Sequence, residues 1–184
     1  MLRKLKGILR KVRRGRSVGR LVEYDESVVD ELRRRGVRIG KECRIYSKEF
    51  SREPYLITLG DGVGIAGGVK FITHNGAARL LRSGRPGIQS FGRIDIADDS
   101  FIGENAILLP GTSIGRNCII AAGAVVHGPI PDNSLVVGNP ARIVGRASLY
   151  LRLLNRHPLT MDTFYLSEEE RRGRILAACG LHES

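Results

Sequence analysis

Hydrophobic residues recur every six positions from Ile94 to Ile143, in IDIADDSFIGENAILLPGTSIGRNCIIAAGAVVHGPIPDNSLVVGNPARI. The aliphatic residues that keep this spacing are Ile96, Ile102, Leu108, Ile114, Ile120 and Val126. Short side chains follow four positions after them, at Ser100, Ala106, Thr112, Cys118 and Ala124. A period of six fits neither the turn of a helix nor the simple alternation of a flat strand. It predicts an all-β fold, a parallel β-helix of hexapeptide repeats whose aliphatic residues stack inward.

The repeat begins before this stretch and is broken twice. A first coil starts at Ile39, the phase slips across Phe50 to Ile57, and the hexads resume at Leu59. The phase is lost again over residues 76–93, GAARLLRSGRPGIQSFGR, which is too long for a corner. Its Ser-Gly and Pro-Gly pairs favour turns, so we predict a loop extruded from the side of the coil. Loops of this size in a compact scaffold are commonly functional.

Both flanks of the repeat carry helical signals. Residues 25–36 predict a short helix with Ser27 as its N-cap and Gly36 at its end, which would cover the open end of the coils. After the hexads stop, residues 147–155 predict a second helix, and a capping box that begins at Ser167 opens a third.

The chain has 184 residues, enough for one domain with a sizeable core. It lacks Trp and contains 23 Gly, a composition that suits narrow coils with tight corners. We divide it into a basic N-terminal arm at 1–20, a capping helix at 21–37, a β-helix domain at 38–146 with the loop 76–93, and a C-terminal helical extension at 147–184.

The net charge of +11 is concentrated in residues 1–20, which hold nine Lys or Arg and no acid. Subtracting nine from 30 leaves 21 basic against 19 acidic residues elsewhere. Leu2, Leu5, Leu9 and Val12 lie at helical spacing among these cations, and such a helix can bind an anionic membrane surface. A solvated extension or a subunit contact is the alternative, because charge runs are usually solvated. Nucleic-acid binding is less favoured, because the arm has no aromatic residue for stacking.

The cysteines point to a reducing compartment. Cys43, Cys118 and Cys179 are far apart, and no CxxC motif or export signal is readable, so we expect a cytoplasmic protein without a disulfide framework. If the basic arm binds lipid, the protein would lie at the inner face of the membrane. Cys43 and Cys118 fall at the inward small position of a hexad and are expected to fill the core. No apolar run approaches the roughly 18 residues of a membrane span.

Candidate chemistry centres on one histidine. His74 lies in FITHNG at residues 71–76, where the repeat breaks and the long loop leaves. A histidine there is well placed to act as a general base near neutral pH, and the alternative from its position alone is a polar corner residue. Asn75 could orient His74 or contact an acceptor, or it could serve only the turn, since Asn-Gly is a common turn pair. No P-loop, Gly-x-Gly-x-x-Gly motif before a helix or metal-like Cys/His cluster is present.

Six motifs support a family resemblance: EPYLI at 53–57, FITHNG at 71–76, FIG at 101–103, LPG at 109–111, AGAVV at 122–126 and GNPA at 138–141. With these motifs the chain resembles the hexapeptide-repeat O-acetyltransferases, a group that includes galactoside, maltose and nodulation acetyltransferases. It is most similar to the branch that modifies capsule, O-antigen and other polysaccharide sugars.

The resemblance implies a left-handed coil and a homotrimer with active sites between neighbouring subunits. It implies acetyl-CoA as the donor, no required metal, and a sugar or polysaccharide precursor as the acceptor. His74 matches the catalytic base, which would take the proton from a sugar hydroxyl as that oxygen attacks the thioester. Backbone N–H groups near Gly103 would stabilise the oxyanion, and no covalent enzyme intermediate is needed.

The same resemblance suggests coenzyme contacts. Gly103 and Ala122 match positions that offer small surfaces and backbone groups to the pantetheine arm. Arg142 matches a position near the coenzyme's phosphates, where bidentate pairing would suit it, although it could also be a solvated surface charge. The family usually has a hydroxyl residue followed by Lys after the glycine-alanine turn. His127 and Gly128 stand there instead, and His127 could stack or form a hydrogen bond with the coenzyme.

Other functions fit the sequence less well. A γ-type carbonic anhydrase on the same coil would need three zinc-binding histidines, two of them on neighbouring coils. Gly92, not a histidine, stands one coil after His74, so this function is disfavoured. A non-catalytic scaffold is disfavoured by His74 at the break beside the long loop. Among enzymes, a serine acetyltransferase is the next reading, although the long helical N-terminal domain of that group is absent. Aminoacyl or antibiotic acceptors, and a longer acyl donor, stay open.

The basic arm makes a prediction that can be tested on its own. A chain without residues 1–20 should bind anionic vesicles more weakly than the full chain, because nine cations are removed. Cosedimentation with phosphatidylglycerol vesicles measures this, with phosphatidylcholine vesicles as the uncharged control. Activity on soluble acceptors should be retained. Equal binding of both forms to the anionic vesicles would contradict a membrane role.

Overall fold

The computed structural model describes residues 26–163 and 166–181, so the basic arm lies outside the described residues. The described helices are α1 (Glu26–Arg34), α2 (Ala147–Leu154) and α3 (Glu168–Ala178), with 3₁₀ turns at Pro54–Leu56 and Gly76–Leu81. The strands are β1 (Arg38–Ile39), β2 (Arg44–Ile45), β3 (Ile57–Leu59), β4 (Gly64–Ile65), β5 (Lys70–Phe71), β6 (Ile94–Ile96), β7 (Phe101–Ile102), β8 (Ile107–Leu108), β9 (Ser113–Ile114), β10 (Ile119–Ile120), β11 (Val125–Val126), β12 (Pro129–Ile130), β13 (Ser134–Val137) and β14 (Arg142–Arg146).

The strands form the three sides of a coil. One sheet has the order β1-β3-β6-β9-β12, a second runs β2-β4-β7-β10-β13-β14, and a third is β5-β8-β11. All neighbours are parallel except β13 and β14. In the regular part, Ile107 pairs with Val125 and Phe101 with Ile119, so one coil takes 18 residues, or three hexads. The parallel β-helix predicted from the period is therefore confirmed.

The predicted inward columns form the core. The six aliphatic residues that define the period are each at most 2% exposed, and the short residues between them are equally buried. Burying each large aliphatic side chain stabilises the fold by about 1.5–3 kcal/mol. Cys43 and Cys118 lie in this core as predicted. Burial raises the pKa of both thiols, so they stay protonated and behave as small apolar residues.

Residues with left-handed backbone turn the corners of the coil. Asn105, Asn117 and Asn133 have φ of 57°, 53° and 58°, a region that Asn tolerates better than branched residues. Neighbouring acidic side chains join successive coils, as where Asp98 Oδ1 accepts a hydrogen bond from the Asp61 N–H at 3.0 Å. The polar positions of the hexad therefore satisfy backbone donors that the corners leave unpaired.

Both ends of the β-helix are covered. The buried residues of α1 belong to the same hydrophobic core as the coils. Gly36, at φ +97°, ends α1 as predicted, with its N–H donating to Arg33 O at 2.9 Å. The predicted N-cap is wrong: α1 begins at Glu26, so Ser27 lies inside its first turn. At the other end, β14 turns back antiparallel onto β13 and pairs its edge.

The two predicted C-terminal helices are present. Helix α2 belongs to the same compact unit as the coils, whereas α3 lies in a second unit that begins after Leu154. Helix α3 opens with the predicted capping box, in which the Glu170 N–H donates to Ser167 Oγ and Glu170 Oε2 accepts from the Ser167 N–H. Among the described helices, none is long and apolar enough to cross a membrane.

The long loop leaves the coil where the repeat predicts a break. Strands β3 and β6 pair Ile57 with Ile94, a separation of 37 residues where the regular coil has 18. The two ends of the extra segment are joined, because His74 forms an antiparallel bridge with Phe91 and the Gly92 N–H donates to Thr73 O at 2.8 Å. The chain therefore leaves and rejoins the coil at one place.

Replacement of a column residue tests the stacked core. Leu108 is 0% exposed, so Leu108→Ala should lower the free energy of unfolding by about 2–5 kcal/mol through lost burial and the remaining cavity. Leu80 is 78% exposed on the loop, and the matched Leu80→Ala change should stay within about 0.5 kcal/mol. Urea denaturation at one protein concentration measures both variants. Similar losses in both would contradict the inward column.

Candidate active site

Two segments on neighbouring coils meet at the break in the repeat. Phe50 and Phe71 form a parallel bridge, and their rings stack with centroids 4.2 Å apart. The Phe71 N–H donates to Glu49 O at 3.0 Å. This packing fixes the backbone on both sides, so residues that follow Phe50 lie against residues that follow Phe71.

The juxtaposition places Glu53 beside His74. Glu53 Oε2 lies 3.0 Å from Nδ1 of His74 and accepts a hydrogen bond from Thr73 Oγ1 at 2.7 Å. The Ser51 hydroxyl is 2.7 Å from Thr73 Oγ1 and 3.4 Å from the same carboxylate oxygen. The Glu53 side chain is only 15% exposed, whereas that of His74 is 42% exposed. The hydrogen bond at Nδ1 thus holds the imidazole in place, while the rest of the ring remains accessible to a reactant.

The charge on Glu53 determines which nitrogen of His74 is basic. The hydrogen bond from the Thr73 hydroxyl is the largest cause that lowers the pKa of the Glu53 carboxyl, and His74 lowers it further against the effect of burial. The carboxylate is therefore ionised at neutral pH and can only accept hydrogen bonds. Nδ1 of neutral His74 must then carry the proton, which leaves Nε2 as the atom that can accept one.

His74 lines two adjoining cavities. The first, of about 240 Å³, lies between the 52–53 segment and the loop, and Arg52, Arg79 and Phe91 contribute to its wall. The second, of about 500 Å³, extends along the coils and shares Arg52 and His74 with the first. The partly exposed imidazole therefore lies where two cavities adjoin.

Asn75 has a structural role in the described chain. Its Oδ1 accepts a hydrogen bond from the Ala77 N–H at 2.9 Å and caps the 3₁₀ turn that opens the loop. Asn75 therefore stabilises the turn, which is one of the two roles that the Asn-Gly pair predicts. Asn75 also lines the first cavity beside His74, so it is within the site as well as in the turn.

Gly103 lies in the ladder between two coils. Its N–H donates to Ile120 O at 2.8 Å and is already paired within the coil, so stabilisation of an oxyanion by other N–H groups near Gly103 stays a prediction. An added Cβ at Gly103 would stand 2.5 Å from Ala122 N, so glycine is needed for the close approach of two coils. Strands β7 and β10 pair residues that are 18 positions apart, so Gly103 follows β7 where Ala121 follows β10.

The other predicted coenzyme residues lie on the exposed surface. Ala122, His127 and Arg142 are all exposed, and Arg142 Nη1 donates to Ala141 O at 3.1 Å. Together with Gly103 they are absent from the walls of the two cavities that contain His74. In the described part of a single chain, the candidate base and the candidate coenzyme residues are therefore not brought together.

Glu53 is the site residue that the sequence analysis missed. Glu53 is the first residue of the EPYLI motif, and the motif alone indicates no catalytic role for it. A signal was available, because Glu53 precedes His74 by 21 residues, close to the 18-residue length of one coil. The slip between Phe50 and Ile57 hid this relation, since the register could not be counted across it.

Comparison with known proteins identifies similar sequences. Residues 93–128 match the family described as bacterial transferase hexapeptide (six repeats). The chain is 44% identical over 124 residues to Protein CapG of Staphylococcus aureus, and the match covers 66% of this chain and 72% of CapG.

Two solved structures are also similar. The hexapeptide-repeat acetyltransferase VCA0836 of Vibrio cholerae O1 biovar eltor, solved with acetyl coenzyme A, is 30% identical with a TM-score of 0.52, and 61% of each chain is covered. This chain thus spans less than two thirds of VCA0836. A maltose O-acetyltransferase of Clostridium difficile 630 is 27% identical with a TM-score of 0.50, covering 69% of this chain and 78% of that one. With the parallel coils, these matches support the expected left-handed β-helix.

No metal centre accompanies the site in the described residues. Across residues 26–163 and 166–181, no group of three or more His, Cys, Asp or Glu side chains is placed to hold a metal ion.

The lowered pKa of Glu53 makes a prediction about pH. A carboxyl whose pKa is lower in the folded state stabilises the fold above its unfolded value, near 4.5, and loses that contribution as pH falls through the folded value. The stability difference between the wild type and Glu53→Gln should therefore shrink as pH falls from 6 to 3. Denaturant unfolding over that range measures it. A constant difference would contradict the ionised carboxylate, and Glu104→Gln, on an exposed residue, is the control.

Proposed function

This chain belongs to the hexapeptide-repeat O-acetyltransferase family, and on that premise we propose that it transfers an acetyl group from acetyl-CoA to a sugar hydroxyl. The donor is supported by VCA0836, whose structure contains acetyl coenzyme A. The sugar acceptor is supported by the similar maltose O-acetyltransferase. The acceptor we favour is a sugar of a surface polysaccharide or its precursor.

One observation carries the proposal: the ionised Glu53 carboxylate lies 3.0 Å from Nδ1 of His74. This contact fixes both the orientation and the tautomer of the imidazole, so Nε2 is ready to accept a proton. A carboxylate that orients a histidine in this way is the arrangement that general-base catalysis requires. Glu53 is accordingly a positioning residue, and His74 is the catalytic residue.

In the proposed reaction His74 moves one proton twice. Nε2 takes the proton from the acceptor hydroxyl while that oxygen forms a bond to the acetyl carbonyl carbon. Acetyl-CoA supplies the activated acetyl thioester. When the carbon–sulfur bond breaks, the imidazolium returns the proton to the leaving thiolate, so His74 ends in its starting state. The Glu53 carboxylate stabilises the positive charge that His74 carries between these two steps.

The coenzyme residues are proposed on a neighbouring subunit. Ala122, His127 and Arg142 are exposed and lie away from the cavities of their own chain, as they would if a second chain completed the site. The exposed methyl of Ala122 leaves space for the pantetheine arm, and the Arg142 guanidinium suits a phosphate. Gly103 would contribute to the coenzyme site by allowing the close approach of its coil to the backbone of Ala122, because its own N–H is bonded to Ile120 O.

Exposed apolar side chains support a homotrimer. Ile143, Val144, Leu149, Leu151 and Leu153 are all at least half exposed on β14 and α2. An apolar surface of this extent favours contact with another protein surface. We assign that contact to neighbouring copies of this chain, because the site proposed above needs residues from two of them.

Removal of the imidazole tests the proposed base. His74→Ala should lower kcat by a factor of roughly 10²–10⁴, as loss of a general base does. Release of free thiol from acetyl-CoA over a panel of sugar acceptors measures turnover, and sedimentation checks that the oligomer is kept. His157→Ala is the matched control, because His157 is exposed in the other compact unit. Unchanged turnover in His74→Ala would rule out this role.

A double-mutant cycle separates positioning from a merely structural effect. Glu53→Gln should lower kcat by at least about tenfold, because an amide can hold the wrong tautomer of the imidazole. If Glu53 acts through His74, the double variant should be no slower than His74→Ala alone. Additive losses in the double variant would contradict this assignment.

A further inference from the structure

The loop beside the candidate base carries positive charge without acids. Residues 76–93 contain four Arg and no Asp or Glu. Arg93 is paired with Asp95 at 2.8 Å. The remaining three arginines have no carboxylate partner within the described residues. A loop that extends over a reactive group with uncompensated guanidinium groups favours the approach of an anion.

One of these loop arginines, Arg79, lines the cavity at His74 together with Arg52. Arg52 comes from the coil side and Arg79 from the loop side, and both side chains lack an ion pair in the part of the chain that the structure describes. The one acidic residue in the cavity wall is Glu53. Its carboxylate is hydrogen-bonded to Thr73 and His74 and forms no ion pair with either arginine in the described residues.

The adjoining cavity continues the same charge. Arg35, Lys48 and Lys70 line it, and it shares Arg52 with the first cavity. Its only acidic wall residue, Glu49, is paired with Lys70 at 3.7 Å. The two cavities together are therefore lined by five Lys or Arg and two Glu, and neither Glu forms an ion pair with an arginine of these walls.

We infer that the acceptor carries an anionic group next to the hydroxyl that is acetylated, and that Arg52 and Arg79 bind this group. The inference rests on the proposed function and specifies its substrate class. A guanidinium binds a carboxylate or a phosphate through two parallel hydrogen bonds, which fix the acceptor's orientation as well as its position. A neutral sugar could not make this pairing. The anion is either the carboxylate of a uronic acid or the phosphate of a phosphorylated sugar.

Matched acceptors separate the two sources of charge. Methyl galactosiduronate is compared with methyl galactoside, and galactose 1-phosphate with galactose, together with the corresponding glucose series. Thiol release from acetyl-CoA gives kcat/KM for each, and titration calorimetry of the same probes gives Kd. The wild type should favour the charged member of at least one pair about tenfold or more. Arg52→Gln and Arg79→Gln should each reduce that preference about tenfold to a hundredfold.

Arg82 provides the control for general electrostatic attraction. It is exposed on the same loop but does not line the cavity, so Arg82→Gln removes an equal charge and should keep the preference within about twofold. Three results would overturn the inference. They are a wild type that neither acetylates nor binds any charged member better than its neutral partner, an equal loss of preference in Arg82→Gln, or a raised KM for acetyl-CoA with the acceptor preference unchanged.

The same data keep the inference apart from the proposed function. If neutral and charged sugars are acetylated equally well and His74→Ala stops both reactions, the acetyltransferase proposal stands and the anionic acceptor is wrong. If charged sugars bind preferentially through Arg52 and Arg79 but no thiol is released, the anion site stands and the proposed reaction is wrong.

Discussion

Every coil of this chain must return, after three sides, to a position directly beside its starting point. The regular coils satisfy this requirement with 18 residues, because each hexad supplies one short strand and one corner. Stacking then aligns the inward aliphatic residues in columns and excludes water from them. The corners need backbone conformations that Asn and Gly accept. Core, corners and strand pairing are therefore consequences of a single geometric repeat.

The candidate site arises where this repeat is interrupted. The extra segment leaves the coil after His74 and is tied back by the His74–Phe91 bridge, so the coils above and below keep their register. From Phe71 to His74 buried and partly exposed residues still alternate, so the His74 ring lies on the outward side where the extra segment leaves. Stacking of Phe50 on Phe71 brings Glu53 from the preceding coil to the same place. The stacked coils thus hold Glu53 and His74 in place, and the interruption leaves the His74 ring accessible for proton transfer.

Charge organises the site at two levels. Close to His74, hydrogen bonds hold the ionised Glu53 carboxylate next to Nδ1 of the ring. This contact leaves Nε2 as the nitrogen that can accept a proton. Farther out, arginines without carboxylate partners in the described chain form the cavity walls. The first level supports proton transfer, and the second favours an anionic reactant. Both depend on side chains from separate coils, so neither would survive a shift in coil register.

The sequence by itself determined the β-helix, its inward columns, the helices at its ends and the position of the loop, because these follow from periodicity and local capping along a continuous stretch. It also singled out His74, since a break in a regular pattern is visible without a structure. Only the tertiary structure brought Glu53 to His74 and placed Arg52 and the loop residue Arg79 in the wall of one cavity. It also showed that the Gly103 N–H is used within the coil and that α1 begins before Ser27. The contacts of Glu53 and Arg52 join residues across an irregular register, and periodicity does not give the register across a slip.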